Sequence, residues 1–373
     1  MDMSEAIGAY LLKDSNSIDS PALLIYTDVV SENIQKAILA IGDVHRLRPH
    51  IKTNKSVDAC RLMMEAGIGA FKCATVSEAE LLVNAGAKDI LLAYQPVGPK
   101  QERWESLVLS FPDIRFSCLV DDIDVARQLA SRGVSKHLEF AVYLDINAGT
   151  DRTGVSIGKP AEELYRSCLA MQGLKVLGMH VYDGHVRQEN WNERKRACDE
   201  GFAPVQELAN ILRSEGANVE IIAGGSTTFT IHALRPGVVC SPGTFIYWDR
   251  GYSLGLPEQP YVPAALVLTR IISLPGPDLV CLDLGHKSIA AENPLKNRVT
   301  LLGVENWEPV GQSEEHLVFR VPAGHSYRVG DAFLGIPYHI CPTVALYDEA
   351  VTIVKGEKSA VWPILARSKK ITY

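Results

Sequence analysis

No stretch of this 373-residue chain approaches the ~18 uninterrupted apolar residues of a membrane span. Its start, MDMSEAIGAYLLKDSNS, lacks the basic patch and apolar stretch of a secretion signal. Both absences make the cytoplasm the expected location and exclude a membrane as partner. Basic charge is scarce as well: 37 Lys and Arg against 44 Asp and Glu leave a formal net charge of −7, which argues against nucleic-acid binding. The eight cysteines (60, 73, 118, 168, 198, 240, 281 and 341) show no CxxC spacing. All but Cys341 read as reduced, buried small hydrophobes. No internal sequence repeat is present either. What remains is ordinary globular usage, 47% hydrophobic and 22% charged, which excludes a disordered or collagenous chain. At ~150 residues per domain, the length suggests two domains, or one larger barrel with an appendage.

A structural rhythm stands in for the missing repeat. Strand-like runs occur at LRPHIK (47–52), AFKCAT (70–75), DILLAY (89–94), RFSCLV (115–120), LEFAVYLDI (138–146), KVLGMHVY (175–182), VEIIAGG (219–225) and GVVCSPG (237–243). Between them lie segments of helical period, such as SVDACRLMMEAG and DIDVARQLASRG, several opening on a capping Ser or Asp and closing at Gly. Strands separated by helices pair in parallel, and eight such units predict a closed (β/α)₈ barrel, with a doubly wound open sheet as the alternative. After about residue 260 the pattern changes to AALVLTRIIS, DLVCLDLG, HLVFRVP and AVTIVKG, which predicts a mainly β domain. PALLIY (21–26) precedes the barrel and is a candidate extra strand of that β domain.

In such a barrel the chemistry sits at the carboxyl ends of the strands. The first run ends in Lys52, which is either a salt-bridged lysine at the rim or, if desolvated, an amine nucleophile. The seventh and eighth runs end in GGSTT (224–228) and SPGT (241–244). Gly224, Gly225 and Gly243 allow close backbone approach, while Ser226, Thr227 and Thr244 add hydroxyls beside backbone N–H groups at a helix start. That composition makes either a plain turn or a phosphate cup, and loops after strands 7 and 8 are the usual phosphate site of this fold. An amine at one strand end and a phosphate cup at another are what pyridoxal 5'-phosphate requires. In the tail, His339 and Cys341 alternate in what reads as an extended stretch, so that both side chains share a face. They form either two ligands of one metal ion or a packed His and a buried Cys.

Several segments, among them RPHIKTNKS (48–56), FKCATVSEAE (71–80), DINAGTDRTGV (145–155), YDGH (182–185), AGGSTT (223–228), SPGTFIYWD (241–249) and PYHICPTVALYDE (337–349), resemble the D-threonine aldolase and eukaryotic-type D-serine dehydratase family. This family belongs to the fold-type III, alanine-racemase-like pyridoxal enzymes, and the resemblance runs through nearly the whole chain in matching order. It implies an α/β fold: a (β/α)₈ TIM barrel of the alanine racemase N-terminal type over 27–250, with residues 1–26 and 251–373 making the β domain. It implies Lys52 as the Schiff-base lysine, next to His50, with Arg152 near the cofactor's phenolic oxygen and Tyr182 and His185 beside its ring. It also implies a divalent metal at His339 and Cys341. The aldolases generally carry Asp at the second of these places and the dehydratases Cys, whereas PTVALYDE is more similar to the aldolases. Thiolate with imidazole favours Zn²⁺ over Mn²⁺ or Mg²⁺. Asn54 departs from the family's usual His, and Asp283, Lys287 and Glu315 read first as surface or strand-end polarity. The activity implied is a lyase for D-β-hydroxy-α-amino acids, splitting Cα–Cβ to glycine and an aldehyde. The alternatives are loss of the hydroxyl by a D-serine or D-3-hydroxyaspartate dehydratase, and an amino-acid racemase on the same lysine. A homodimer is implied by the resemblance alone.

Overall fold

A computed structural model describes residues 10–372. Residues 1–9, assigned by sequence to the β domain, lie outside the described residues, as does residue 373. The chain divides into two compact units: a β unit of residues 10–36, 53–57 and 244–367, and a barrel unit of residues 37–52, 58–243 and 368–372. The first strand, β1 (Ala22–Tyr26), belongs to the β unit and is followed by helix α1 (Thr27–Ile41).

The barrel unit holds β2 (Ala70–Cys73), β3 (Asp89–Leu92), β4 (Arg115–Val120), β5 (Phe140–Asn147), β6 (Val155–Ser156), β7 (Leu174–Val181), β8 (Glu220–Ala223) and β9 (Val238–Cys240). Seven of them form a parallel sheet in the order β2-β3-β4-β5-β7-β8-β9, and β6 pairs only with the end of β5. The connecting helices are α2 (Val57–Glu65), α3 (Val76–Ala85), α4 (Pro99–Ser110), α5 (Ile123–Lys136), α6 (Lys159–Leu169), α7 (Trp191–Ser214) and α8 (Phe229–His232). Local signals explain their limits. Thr75 caps α3 by accepting from Glu78 N, Glu78 in turn accepts from Ala74 N, and Gly86 closes the helix at φ 102°. Asn190 caps α7 by accepting from Asn192 N and Glu193 N, and Pro204 lies inside that helix.

The expected first strand, 47–52, is a correction: it forms two isolated bridges, Leu47 to Cys240 and His50 to Lys72, rather than a regular strand. Arg48 N and His50 N donate to Cys240 O and Pro242 O, while Ile51 N donates to Lys72 O and Pro49 O accepts from Lys72 N. The segment therefore joins β9 to β2 and closes the barrel. Pro49 has no N–H, so one rung on the β2 side is missing and the ladder stays broken. At the amino ends of the strands, buried Arg48 grips Asp89 through two hydrogen bonds of 2.6 and 3.0 Å.

The β unit contains β10 (Ala265–Gly276), β11 (Leu279–Leu282), β12 (Val299–Leu301), β13 (Glu308–Gln312), β14 (Leu317–Arg320), β15 (Ala332–Pro337), β16 (Glu349–Val354) and β17 (Glu357–Pro363). Short helices α9 (Arg250–Gly255) and α10 (Ile340–Val344) interrupt the strands. The sheet runs β13-β14-β11-β10-β1-β16-β17, with β1 antiparallel to β10 and parallel to β16. Period-2 alternation on β10 feeds two cores: Leu266 and Leu268 pack with Leu24 and Ile353, and Val267 packs with Val280 and Phe319. Among the described residues no helix is long and apolar enough to cross a membrane.

Candidate active site

The barrel interior is apolar in its middle and ionic toward the strand ends. Leu91, Leu119, Tyr143 and Ile222 form a buried cluster with Ala93, Leu177 and Val239. Two residues beyond Tyr143 on β5, and on the same face, stands Asp145. Its register partner on β7 is His180. Leu177 and His180 differ by an odd number, so both can face inward only because a register shift at Gly178 reverses the phase of β7. Only glycine fits there: φ is 157°, and a Cβ would come within 1.9 Å of Glu220 O.

His180 Nδ1 lies 2.7 Å from Asp145 Oδ1, and its Nε2 lies 3.3 Å from Nζ of Lys72. Thr153 donates its hydroxyl to Asp145 Oδ2 at 2.8 Å. Burial pushes the Lys72 amine down to about 7, the nearby Lys52, Arg152 and Arg48 cations adding to it and Asp145 opposing. Burial and the Lys72 ammonium hold His180 below the ordinary imidazole value. Burial alone would raise Asp145, but its bonds with His180 and Thr153 keep it below the usual carboxylate range. The sequence reading missed Lys72, Asp145 and His180 because each sits inside an apolar run; a lone glycine within a strand was the available signal.

Of the residues named from sequence, Lys52 follows the bridging segment in a turn, half-buried, and its backbone N donates to His50 Nδ1 at 3.3 Å. The Arg152 guanidinium lies 4.8 Å above the centre of the Tyr182 ring, while Asp151 is held by Asn147. His185 is exposed and shares a 3.2 Å contact with Thr150 Oγ1, which also donates to Tyr182 O. The loop Gly224–Thr228 packs on Tyr182: a Cβ on Gly225 would lie 2.9 Å from the ring. Ser226 and Thr227 are buried, as is Gly243. Among the described residues, the backbone N–H groups of Thr227 and Gly243 meet no acceptor. Two buried, unspent donors in loops after the last two strands fit an anionic oxygen cluster such as a phosphate. The helix expected to start there, α8, is one turn long, so the loop N–H groups rather than a helix dipole supply the donors.

Beneath this loop Asp183 accepts from Thr228 Oγ1 at 2.6 Å and from His232 Nε2 at 2.8 Å. With Cys198, these residues put three metal-ligand types within 4.8 Å of one another. The hydrogen atoms decide against an ion. Arg235, which can only donate, lies 2.8 Å from His232 Nδ1. Nδ1 is therefore the acceptor, Nε2 carries the proton, and that proton points at Asp183. Burial pushes the Cys198 thiol up to about 12, far from thiolate. The cluster is a hydrogen-bonded brace for the loop.

In the β unit, His339 and Cys341 are not in an extended stretch, which corrects the sequence reading. His339 is the N-cap of α10 and Cys341 lies in its first turn. Pro342 is tolerated in a first turn, where its missing N–H has no partner to lose, and Asp249 Oδ2 accepts from Ile340 N at 3.1 Å. The two side chains nevertheless interact: the bond to Cys341, then those to Glu292 and the field of Asp249, push His339 up to about 9. Glu292 Oε1 takes His339 Nδ1 at 2.5 Å, so Nε2 is the ring atom that a metal ion would take. The Cys341 thiol is 3.2 Å from Thr53 Oγ1 and 3.5 Å from Thr244 Oγ1. Buried Asp249 is raised to about 6, burial outweighing the N–H groups of Tyr252 and Ile340. A carboxylate-oriented imidazole beside a thiol fits a divalent ion with open positions. Asn54 serves the backbone, its Oδ1 accepting from Ser56 N. Asp283 ties Thr269, Arg270 N and Ser20 together, and Lys287 pairs at the surface with Glu314 and Glu315.

A model of the alanine racemase N-terminal domain matches residues 25–250, and one of a serine dehydratase domain matches residues 264–353. The chain is 27% identical to a 3-hydroxy-D-aspartate aldolase of Paracoccus denitrificans (strain Pd 1222), with 95% of this chain and 94% of that one covered. It is also 27% identical to a D-threonine aldolase of an Arthrobacter species, over 94% and 93% of the two chains. Among solved structures, a D-threonine aldolase from Filomicrobium marinum superposes with a TM-score of 0.86 at 26% identity, covering 94% of this chain and 96% of the other. A D-threo-3-hydroxyaspartate dehydratase from Delftia sp. HT23 shares the fold, with a TM-score of 0.80 at 22% identity over 93% and 97% of the chains.

Proposed function

The chain belongs to the alanine racemase N-terminal domain family, and on that premise we propose that it is a lyase dependent on pyridoxal 5'-phosphate and a divalent metal, cleaving D-β-hydroxy-α-amino acids in the manner of a D-threonine aldolase. The observation that carries the reading is the polar end of the barrel. Lys52 ends the segment that closes the barrel, beside an ionic interior, and the loops after β8 and β9 keep buried N–H donors unspent. The names of the full-length relatives point the same way.

In this reading Lys52 supplies the amine that joins the cofactor's aldehyde. The loop residues Gly224, Gly225, Ser226 and Thr227, with Gly243 and, next along the chain, Thr244, hold its phosphate. Arg152, Tyr182 and His50 flank its ring. When bound, the cofactor serves as the electron sink for charge developing at Cα. His339 and Cys341 hold the metal, zinc before manganese or magnesium because of the thiol. Glu292, bonded to Nδ1, would leave Nε2 as the His339 atom available to such an ion. The barrel unit thus carries amine chemistry and the β unit hydroxyl chemistry. A homodimer in the cytoplasm completes the proposal; none of the eight cysteines is in a disulfide, as a reducing compartment allows.

One observation favours a second reading. Cys341, where an oxygen ligand would suit the aldolases, favours a dehydratase of D-serine or D-3-hydroxyaspartate, and a Delftia relative of that kind is 28% identical over 62% of this chain. Product analysis separates the two. Purified protein supplied with pyridoxal phosphate and Zn²⁺ or Mn²⁺ is given D-threonine, D-serine and D-3-hydroxyaspartate. Glycine plus an aldehyde supports the aldolase, and a keto acid with ammonia supports the dehydratase. Racemised substrate as the sole product, or an imine absorption band that survives Lys52→Ala, sinks both.

A further inference from the structure

The proposed lyase chemistry gives no task to Thr53, a fully buried residue. Among the described residues its hydroxyl has one hydrogen-bond partner, Cys341 Sγ at 3.2 Å. Thr244, only 3% exposed, brings a second hydroxyl to the same sulfur at 3.5 Å. All three residues belong to the β unit. Each stands on a fixed piece of backbone. The turn that carries Thr53 is tied by Ser56 N, which donates to Asn54 Oδ1 at 3.1 Å, and by Ala366 N, which donates to Lys55 O at 3.3 Å. Thr244 opens a single turn of 3₁₀ helix, its carbonyl accepting from Tyr247 N at 3.1 Å. Cys341 is set by Asp249 on Ile340 N and by Thr343 Oγ1, which donates to His339 O at 2.9 Å. Three separate segments thus bring two buried hydroxyls to one sulfur.

A cysteine that ligates a metal does so as the thiolate, which can only accept hydrogen bonds. Its sulfur has three lone pairs. One goes to the ion, and two remain for the two hydroxyls that already lie within reach. Each such bond draws electron density from the sulfur and weakens it as a donor, so that it behaves more like an oxygen ligand. The loss falls hardest on ions that bind sulfur covalently, zinc among them, and least on manganese or magnesium. We propose that Thr53 and Thr244 are positioning residues that donate to the Cys341 thiolate and harden it, so that a site with a sulfur ligand still accepts manganese beside zinc. The inference rests on the reading of His339 and Cys341 as the metal pair. Thr53, to which no cofactor contact is assigned, carries the decisive variant.

The test reads the sulfur directly. Holoenzyme stripped of metal by a chelator is reloaded with Co²⁺ or Zn²⁺. The difference spectrum of the two forms cancels the cofactor's own absorption and leaves the sulfur-to-cobalt charge-transfer band. Loss of a hydroxyl raises the sulfur lone pairs in energy, so Thr53→Val, which keeps the shape of the side chain, should move the band to longer wavelength. Adding Thr244→Val should move it further, and Thr53→Ser, which keeps the hydroxyl, should hold it at the wild-type position. Competition with a chelator gives the Zn²⁺ and Mn²⁺ affinities of the same proteins. Their ratio should shift toward zinc by ~10-fold in Thr53→Val and stay near wild type in Thr53→Ser. If the double variant fails to fold, the two Thr53 variants decide the outcome. An unchanged band and an unchanged affinity ratio in Thr53→Val overturn the inference and leave the metal pair standing. Absence of a charge-transfer band in the wild type removes Cys341 from the ligand set, and the inference falls with it.

Discussion

Replacing Asp183 by alanine should loosen the loop proposed to hold the phosphate without touching the residues that would contact the cofactor's ring. Its carboxylate receives two buried protons, one from Thr228 Oγ1 at 2.6 Å and one from His232 Nε2 at 2.8 Å, and Thr228 Oγ1 in turn receives Gly225 N at 3.4 Å. Leaving a buried donor unpaired costs ~1–3 kcal/mol, so the two together put ~2–6 kcal/mol at stake. If even ~1.4–2.8 kcal/mol of that falls on the loop's order, affinity for the phosphate drops 10- to 100-fold. Asp183→Asn should be milder: Thr228 can turn its hydroxyl to accept from the amide, but His232 cannot change tautomer, because Arg235 already occupies Nδ1. The assay compares dissociation constants for pyridoxal phosphate and for pyridoxal, which lacks the phosphate. The loss should appear with the first and be nearly absent with the second, and added Zn²⁺ should not restore it. An equal loss for both ligands, or none for either, would show that the brace does not hold a phosphate loop. The pH sign agrees with a carboxylate lowered on folding. The network's stabilisation is present above the unfolded value of ~3.9 and is lost as pH falls toward the lower folded value.

Three further outcomes follow from the same geometry. Glu292→Gln, which removes the carboxylate that orients His339, should weaken divalent-metal affinity ~10- to 100-fold in competition with a chelator. Cys341→Asp should shift the preferred ion from zinc toward manganese or magnesium, measured as the ratio of the two affinities; an unchanged ratio would remove Cys341 from the ligand set. Lys72→Met should stabilise the barrel at neutral pH. The gap between an ordinary lysine and a folded value of about 7 is worth ~5 kcal/mol, a penalty fully present below pH 7 and relieved as pH rises toward ~10. Denaturant titrations of both proteins at pH 7 and 10 should therefore show a difference that shrinks with pH.

Much of the molecule was legible because its signals are local. Alternating strand and helix patterns specify a parallel barrel, and capping at Thr75 and Gly86 marks helix ends within a few residues. Period 2 in the tail specifies sheet, and RPHIK, GGSTT and HIC are contiguous enough to be recognised as segments. Long-range pairing was not legible. Pro49 turned a regular strand into two bridges, and the first turn of α10 replaced the extended HIC.

The amino-acid sequence by itself determined the fold class, the order of the two kinds of structure, and the lysine, loops and His–Cys pair on which a chemical reading rests, because each depends on neighbours a few residues apart. Only the tertiary structure decided which buried charges meet. Lys72, Asp145 and His180 come together from three strands, and they do so because a glycine bulge on β7 reverses which face points inward. Asp183, Thr228 and His232 likewise combine only through packing, and the proton assignment that makes them a brace instead of a metal site depends on where Arg235 lands. Desolvation is a property of the whole enclosure, so a buried amine poised near neutrality has no signature along the chain.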